Sequence, residues 1–289
     1  MDAADYCRGK AAPDGSSLYY ALLFAPQEQR AGLTALAAYR AEILEIPRKV
    51  SEPGIGAVKL NWWQEELERL EQNQPRHPIT QALAPVMSTH SLDPHGLTEV
   101  IEAARMDLAY GRYPTLRELT LYCHRAGGAI ADMAWRLSGA QGKDAAPFAH
   151  DLAMGLELTR MLRHLRRDIQ AGRLYIPEDE LTAEGLSSEM LLDPAHHASC
   201  TRLLDRQGRR AREFLDNAIG HLTPIERPNQ RFGLGLAVLY RALLMALADD
   251  GYPVLNKHHH LTPLRKLWLA WRSARHPERI HPLAKDKVS

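Results

Sequence analysis

The stretch that decides the fold is residues 158–169, with the sequence LTRMLRHLRRDI. Its aliphatic side chains recur at intervals of four, three and four residues: Leu158, Leu162, Leu165 and Ile169. At about 100° per residue these four lie on one side of a helix, which must pack in a core. The other side carries a polar set: Glu157, Arg160, His164, Arg167 and Asp168. Taken alone, the polar side indicates a solvated helix surface with a His164–Asp168 pair one turn apart.

Helix-forming residues dominate the rest of the chain as well. Val and Ile number only 7 and 11, whereas Leu, Ala, Glu, Arg and Gln abound, which favours helices over strands. Pro and Gly divide the sequence into blocks joined by short connections. We predict an all-α protein with helices over residues 18–46 (one or two helices, with a turn at Pro26), 58–70, 78–86, 94–111, 115–137, 149–171, 200–222, 232–249 and 261–275.

Chain length and connections favour one domain over residues 1–289, with a frayed basic tail from about residue 276. The segment 232–248 is the most apolar, but Arg241 lies in its middle, so we expect a buried helix there and no membrane span. Residues 1–10 contain no apolar run and do not resemble a signal peptide.

Charge and cysteine content limit the function. Lys plus Arg number 36 against 35 Asp plus Glu, a net charge of +1, which argues against a nucleic-acid binder held by bulk charge. Hydrophobic residues make up 45% and charged residues 25%, as in an ordinary folded protein. The three scattered cysteines, Cys7, Cys123 and Cys200, predict neither a disulfide framework nor a zinc motif, and we expect a cytoplasmic protein.

Several short patterns occur in order along the chain: SSLYYALLFAP at 16–26, ALAAY at 35–39, LNWWQEEL at 60–67, HPI at 77–79, MDL at 106–108, RYPT at 112–115, YC at 122–123, AGG at 126–128 and GRLYIP at 172–177. Together they resemble the squalene/phytoene synthase family, which condenses two prenyl diphosphates head to head. The resemblance is best over about residues 15–180. It continues more weakly through Tyr240 and GYPV at 251–254.

The resemblance implies the all-helical isoprenoid synthase bundle with a central apolar cavity. In that family two acidic motifs hold magnesium ions, which bind and ionise the diphosphate. The five acidic positions fall here on Leu44, Arg48, His164, Arg167 and Asp168. Their summed charge is +1, against −5 in the family, so we expect no magnesium cofactor. Pro47 should also kink or end the helix that carries the first motif.

We therefore expect a non-catalytic isoprenoid- or lipid-binding protein. The chain is similar to a superfamily branch that lacks the acidic motifs, a mitochondrial assembly factor for respiratory complex I, through Ala35-Leu36, Glu42, VSEPGIG at 50–56 and Trp63. That resemblance implies a role in assembling a membrane complex, with a membrane-complex partner and a location in the cytoplasm or peripheral to the membrane. No amphipathic anchor is obvious in the sequence.

Arginines could then contact an anionic head group directly, without metal. The resemblance points to these candidate ligand contacts: Ser17, Tyr20, Arg40, Arg48, Arg160, His164, Arg167, Asp168 and Tyr240, with Arg163 and Arg173 also near. The alternative is an active prenyltransferase that condenses two farnesyl or geranylgeranyl diphosphates through a rewired magnesium site. Its candidate ligands are Asp168 and Glu45, supported by Glu42 and Glu157.

Overall fold

A computed structural model describes residues 2–139, 145–255 and 259–283, and within these ranges the protein is all-α. Thirteen α-helices lie in the described ranges: α1 (Ala3–Ala11), α2 (Ser17–Leu23), α3 (Gln27–Lys49), α4 (Pro53–Glu71), α5 (Pro78–His90), α6 (His95–Ala109), α7 (Leu116–Cys123), α8 (Ala129–Leu137), α9 (Ala145–Gln170), α10 (Glu178–Ala183), α11 (His197–His221), α12 (Arg231–Asp249) and α13 (Pro263–Arg275). The predicted fold class and the main helices are confirmed. Gly172 ends the α9 segment with φ +75°, the left-handed conformation expected after this helix.

The N-terminal helix α1 was not predicted. It packs against α3 and α5 and buries Cys7 between them. None of its nine residues is Leu, Ile, Val, Met or Phe, so its hydrophobic pattern is weak, and it is held by its neighbours rather than by intrinsic propensity. Its Lys10 reaches the acidic side of α3, which matters for the site described below.

The prediction of a frayed tail from residue 276 is wrong for the part that the structure describes. The backbone carbonyls of Pro277 and Ile280 accept hydrogen bonds from the buried guanidinium of Arg227. A buried guanidinium needs acceptors, and these carbonyls supply them, which holds residues 277–280 against the bundle. Residues 284–289 lie outside the described ranges.

Helix α9 runs through the middle of the bundle and packs on α8, α11 and α12. Its predicted apolar stripe is core: Leu158, Leu162 and Leu165 are each at most 3% exposed. The predicted solvated surface on the opposite side is wrong, because Glu157 is 4% exposed and the Arg160 side chain 14%. Neighbouring helices cover both sides of α9 at Glu157 and Arg160, whereas Arg166 and Arg167 near its end are exposed.

Helix α3 passes through Pro47 and ends two residues later, at Lys49. The proline removes only one hydrogen bond near the end of the helix, so the helix need not break there. The last carbonyls of the helix have no partner within it, and one of them, the Pro47 carbonyl, accepts a hydrogen bond from the Arg173 guanidinium. Pro47 therefore marks the end of the helix, as predicted, without separating Leu44 from the preceding turns.

The predicted single helix over 115–137 is interrupted by a π-helical turn, His124–Gly128, between α7 and α8. Gly127 lies in this turn, and a Cβ there would be 3.3 Å from the Ala153 Cβ of α9. The glycine thus permits the close approach of the turn to α9. The wide turn is also where the carbonyl of Ala126 becomes available to a side chain from α3.

Helix α12 is the one described helix that is long and apolar enough to cross a membrane by length and composition. However, 56% of its apolar window is buried inside the protein. It packs against α2, α9, α11 and α13, as a core helix of a bundle does. These contacts agree with the sequence-based expectation of a buried helix over residues 232–248.

Candidate functional site

A buried carboxylate on α9 gathers two arginines. The Glu157 carboxylate accepts hydrogen bonds from Arg160 Nε at 2.9 Å and from Arg40 on α3. Arg40 is fixed in turn by its own Nε, which donates to the Ala126 carbonyl at 2.7 Å. Burial alone would raise the pKa of Glu157, but the charges of Arg40 and Arg160 lower it below its ordinary value. Glu157 is therefore ionised, and the cluster carries one negative and two positive charges.

Some hydrogen-bond donors of Arg160 are not used by Glu157. Its Nη1 and Nη2 atoms are buried and have no hydrogen-bond acceptor among the described residues. The guanidinium carbon lies 5.4 Å from the centroid of the Tyr175 ring, so one face of the group rests on an aromatic ring. A buried guanidinium with unused donors is an anion-binding group.

Behind Arg160 lies a second buried carboxylate, Asp107 on α6, surrounded by tyrosines. It accepts hydrogen bonds from the hydroxyls of Tyr175 at 2.9 Å, Tyr122 at 3.0 Å and Tyr113 at 3.4 Å. Burial raises the pKa of Asp107 above its ordinary value, against the hydrogen bond from Tyr175 and the charge of Arg160. The cluster joins α6, α7 and the segment after α9, and it supports the ring on which Arg160 rests.

Arg160 also lines an apolar cavity between the helices, with a volume of about 330 Å³, in the size range of small-molecule sites. Most of the wall is apolar and comes from α3, α8, α9 and α12: Leu33, Leu36, Ile130, Ala131, Ala134, Trp135, Phe148, Leu152, Leu156, Phe232 and Leu236. Cationic side chains line the same cavity together with Glu157: Arg40, Arg160, Arg163 and Lys266. Their charges sum to +3, so the cavity fits a molecule with an apolar chain and an anionic head.

Four of the predicted contact residues line this cavity: Ser17, Arg40, Arg160 and Tyr240. Tyr20, at 9% exposed, is not on the wall and packs in a smaller cluster with Leu236 and Leu239 of α12. Sequence reasoning missed Lys266 of α13, whose Nζ donates to the Gly15 carbonyl at 2.7 Å. Neither residue stands in a recognisable motif, so only the folded chain brings this lysine to the site.

The other predicted residues form a basic region beside the cavity. Arg48 is close enough to Glu157 and Asp107 for its charge to lower the pKa of both carboxyls. Its Nε and Nη2 are buried and find no hydrogen-bond acceptor in the described ranges. His164 lies among the same arginines. Arg167, in contrast, is half-exposed and pairs with Asp168, its Nη2 lying 3.1 Å from Asp168 Oδ1.

The acids proposed as rewired magnesium ligands are not gathered. Glu42 and Glu45 both pair with Lys10 of α1, Glu157 pairs with two arginines, and Asp168 pairs with Arg167. No group of three or more Asp, Glu, His or Cys side chains that could hold a metal occurs in the residues that the structure describes. Magnesium needs several oxygen ligands in near-octahedral geometry. The residues present do not fit magnesium, and two of the five acidic positions of the family hold arginines, Arg48 and Arg167.

His164 titrates far below its ordinary range. Burial and the charges of Arg167, Arg163, Arg160 and Arg48 lower its pKa from 6.5 to about 3. The imidazole is therefore neutral in the folded protein at pH 7. A bound anion would offset the surrounding positive charge, so ligand binding should favour protonation of this residue.

We expect His164 to contribute to acid lability. An unfolded chain protonates this histidine as the pH falls below 6.5, whereas the folded chain does not until about pH 3, so stability present above pH 6.5 is lost across that window. The free energy of unfolding of the His164→Gln variant should fall less steeply on acidification than that of the wild type. The two slopes should differ by at most about 1.4 kcal/mol per pH unit. Urea unfolding at a series of pH values measures this, with His95→Gln, on the exposed surface of α6, as the control. Equal slopes for wild type and His164→Gln would contradict the assignment.

The chain is similar in sequence and in fold to known proteins. A family model described as Squalene/phytoene synthase matches residues 12–267. The chain is 27% identical to the 15-cis-phytoene synthase of Synechocystis, over 94% of this chain and 86% of that protein. Its fold is similar to that of a dehydrosqualene synthase solved in complex with a ligand, with a TM-score of 0.81, 20% identity and coverage of 96% of this chain and 97% of that one. A squalene synthase from Alicyclobacillus acidocaldarius superposes with a TM-score of 0.73 at 20% identity, covering 86% of this chain and 94% of that one.

Proposed function

The chain belongs to the squalene/phytoene synthase family, and from that membership we propose that it binds an isoprenyl diphosphate in the central cavity. The observation that carries the proposal is the composition of the cavity wall, which combines a long apolar surface with Arg40, Arg160, Arg163 and Lys266. A prenyl chain is bound by apolar surface, and a diphosphate is bound by charge-assisted hydrogen bonds. The cavity thus offers complementary surface to both halves of such a molecule.

We propose prenyl transfer as the activity, namely the head-to-head condensation of two prenyl diphosphates with release of diphosphate. The names of the curated relatives, 15-cis-phytoene synthases, support this function over the non-catalytic one that the motif positions favoured. Arg160 and the neighbouring cations would stabilise the negative charge that develops on the leaving diphosphate. The apolar wall would keep water from the allylic cation. No step is assigned to magnesium, since the donor set does not fit it.

The second candidate is a protein that binds the same ligand without turning it over. The observation that favours it is the set of side chains at the five acidic positions of the family: Leu44 is buried, Arg48 and Arg167 are cationic, His164 is neutral, and Asp168 alone is acidic. A role in assembling a respiratory membrane complex stays a prediction, which rests on the short element at residues 50–56 and its neighbours.

One experiment separates the candidates. The purified protein is incubated with farnesyl or geranylgeranyl diphosphate, with magnesium and with a chelator, and ligand binding, diphosphate release and lipid products are measured. We expect saturable binding and formation of a condensed product such as presqualene diphosphate or phytoene. Binding without release would favour the second candidate, and the absence of both would contradict the proposed ligand.

The Ala134→Phe variant tests whether the cavity is the site. Its new ring would occupy part of the cavity, so we expect binding and turnover to be lost while the circular dichroism spectrum is kept. The matched control is Ala31→Phe, because Ala31 is exposed and does not line this cavity. If both variants bind the ligand as the wild type does, the site lies elsewhere.

A further inference from the structure

The last described helix, α13, turns its large apolar side chains toward solvent. Leu264 is 79% exposed, Trp268 51%, Trp271 47% and Leu267 38%. At about 100° per residue these four residues share one face of the helix, roughly 100° wide. We call this set the outer face of α13. A helix packed on a soluble core normally turns such residues inward.

The inner face of the same helix is made of small residues. Ala270 and Ser273 are buried, at 1% and 0% exposed, and pack on α2 and α12. Gly235 of α12 lies opposite, and a Cβ placed there would be 3.6 Å from the Ser273 hydroxyl. Small side chains therefore let α13 lie close to the bundle. Among the residues that the structure describes, the core covers little of the outer face, which stays exposed.

Positive charge lies along one edge of the outer face. At about 100° per residue Arg265, Arg272 and Arg275 lie on or beside this face, whereas Lys266 lies on the opposite side and lines the cavity, and the helix has no acidic residue. The Arg272 guanidinium carbon is 5.2 Å from the centroid of the Trp268 ring, so charge and aromatic surface are contiguous. Trp, Leu and basic side chains on one helix are the composition of helices that lie in the interface of a membrane with anionic lipids.

The inner side of α13 belongs to the cavity wall. Lys266 lines the cavity, and Leu269 and Ala270 pack with Leu236 and Phe232, which line it too. A membrane that contacts the outer face would therefore be separated from the cavity only by α13 itself. That position suits a protein whose ligand is apolar and partitions into membranes.

We propose that α13 is an interfacial helix, which docks the protein on an anionic lipid bilayer through Leu264, Leu267, Trp268 and Trp271, with Arg265, Arg272 and Arg275 along one edge of this face. The basic charge selects an anionic surface, and the tryptophans insert at the level of the head groups. The expectation of no amphipathic anchor does not hold for this helix. The proposal stands apart from the proposed function, since docking requires no turnover.

Vesicle co-sedimentation tests the docking. The full chain is mixed with vesicles of phosphatidylcholine alone or of phosphatidylcholine with phosphatidylglycerol, at low and at high salt. We expect binding to the anionic vesicles that weakens with salt, since exposed charges are screened. Equal binding to the two compositions, or no binding to either, would overturn the proposal.

Variants assign the binding to α13. Because all changed side chains are exposed, Trp268→Ser with Trp271→Ser should keep the melting temperature and lower the vesicle partition coefficient about tenfold or more. The control is Trp62→Ser, which removes a tryptophan of 42% exposure on α4. Arg265→Gln with Arg272→Gln should abolish the preference for anionic vesicles. Unchanged partitioning of the tryptophan variant would overturn the proposal. So would a wild-type dimer in solution that the tryptophan changes dissociate, since a second copy would then cover this face.

Discussion

Replacing Arg160 with methionine is expected to weaken the binding of farnesyl diphosphate by about 10- to 150-fold. The estimate takes the loss of one charge-assisted hydrogen bond, worth about 1.5–3 kcal/mol, at about 1.4 kcal/mol per tenfold change in affinity. Arg160 is the cavity residue with two buried nitrogens, Nη1 and Nη2, that find no acceptor within the described ranges. Isothermal titration calorimetry measures the change, with the chelator present so that only side chains bind the diphosphate.

Two further variants make the result specific. Arg166→Met removes an arginine from the same helix, but Arg166 is exposed and lies outside the cavity, so its affinity should match the wild type. Arg160→Lys keeps the charge and loses the forked donors, and an intermediate affinity is expected. Glu157 keeps Arg40 as a partner in each variant, so the fold should survive. Equal losses for Arg160→Met and Arg166→Met would show a general charge effect and contradict a site at Arg160.

Replacing Asp107 with leucine is expected to lower the free energy of unfolding by about 3 kcal/mol or more. The change strands the hydroxyls of Tyr113, Tyr122 and Tyr175, and each buried hydroxyl without a partner costs about 1–3 kcal/mol. Urea denaturation at neutral pH measures the loss. The Arg160 guanidinium packs on the Tyr175 ring, so a displaced Tyr175 should also lower the affinity for the ligand.

The matched control is Asp132→Leu on α8. Asp132 pairs with Arg136 one turn away at the surface, and removing such a pair should change stability by no more than about 0.5 kcal/mol. Asp107→Asn retains an acceptor oxygen and should fall between the two. A loss for Asp107→Leu no greater than that for Asp132→Leu would mean that the tyrosines find other partners, and the structural role of Asp107 would be refuted.

The periodicity of the sequence was sufficient for most of the fold. The leucine stripe of α9 and the turn signals at Pro26, Pro78 and Gly172 predicted helices that the structure contains. Helix α1 was not predicted because its sequence is weakly amphipathic and its stability comes from contacts with α3 and α5. The periodicity of a sequence predicts helices with a strong amphipathic pattern, and it does not predict helices that depend on tertiary contacts.

The candidate site was less accessible from the sequence. Candidate contact residues on α9 were identified from the sequence. A helical pattern, however, shows how side chains are arranged around the helix axis and does not show which sides other helices cover. Glu157 meets Arg40 across 117 residues of sequence, and Lys10, on a helix that was not predicted, pairs with both Glu42 and Glu45. The partner of a charge depends on tertiary packing, so the burial of Glu157 and Arg160 could only be learned from the fold.

The π-helical turn His124–Gly128 makes the position of Arg40 depend on the length of the chain. A π turn holds one residue more than the α-helical turn it replaces, so the extra residue is absorbed within the turn and α8 keeps its orientation. In this turn the Ala126 carbonyl accepts the hydrogen bond that fixes Arg40 beside Glu157. Loss of a single codon here would convert the turn to regular α-helix and return a carbonyl to the helical hydrogen bonds, while α8 kept its place on the cavity wall. A change of one residue in chain length would therefore loosen Arg40, and with it the cationic end of the cavity, without altering the apolar wall.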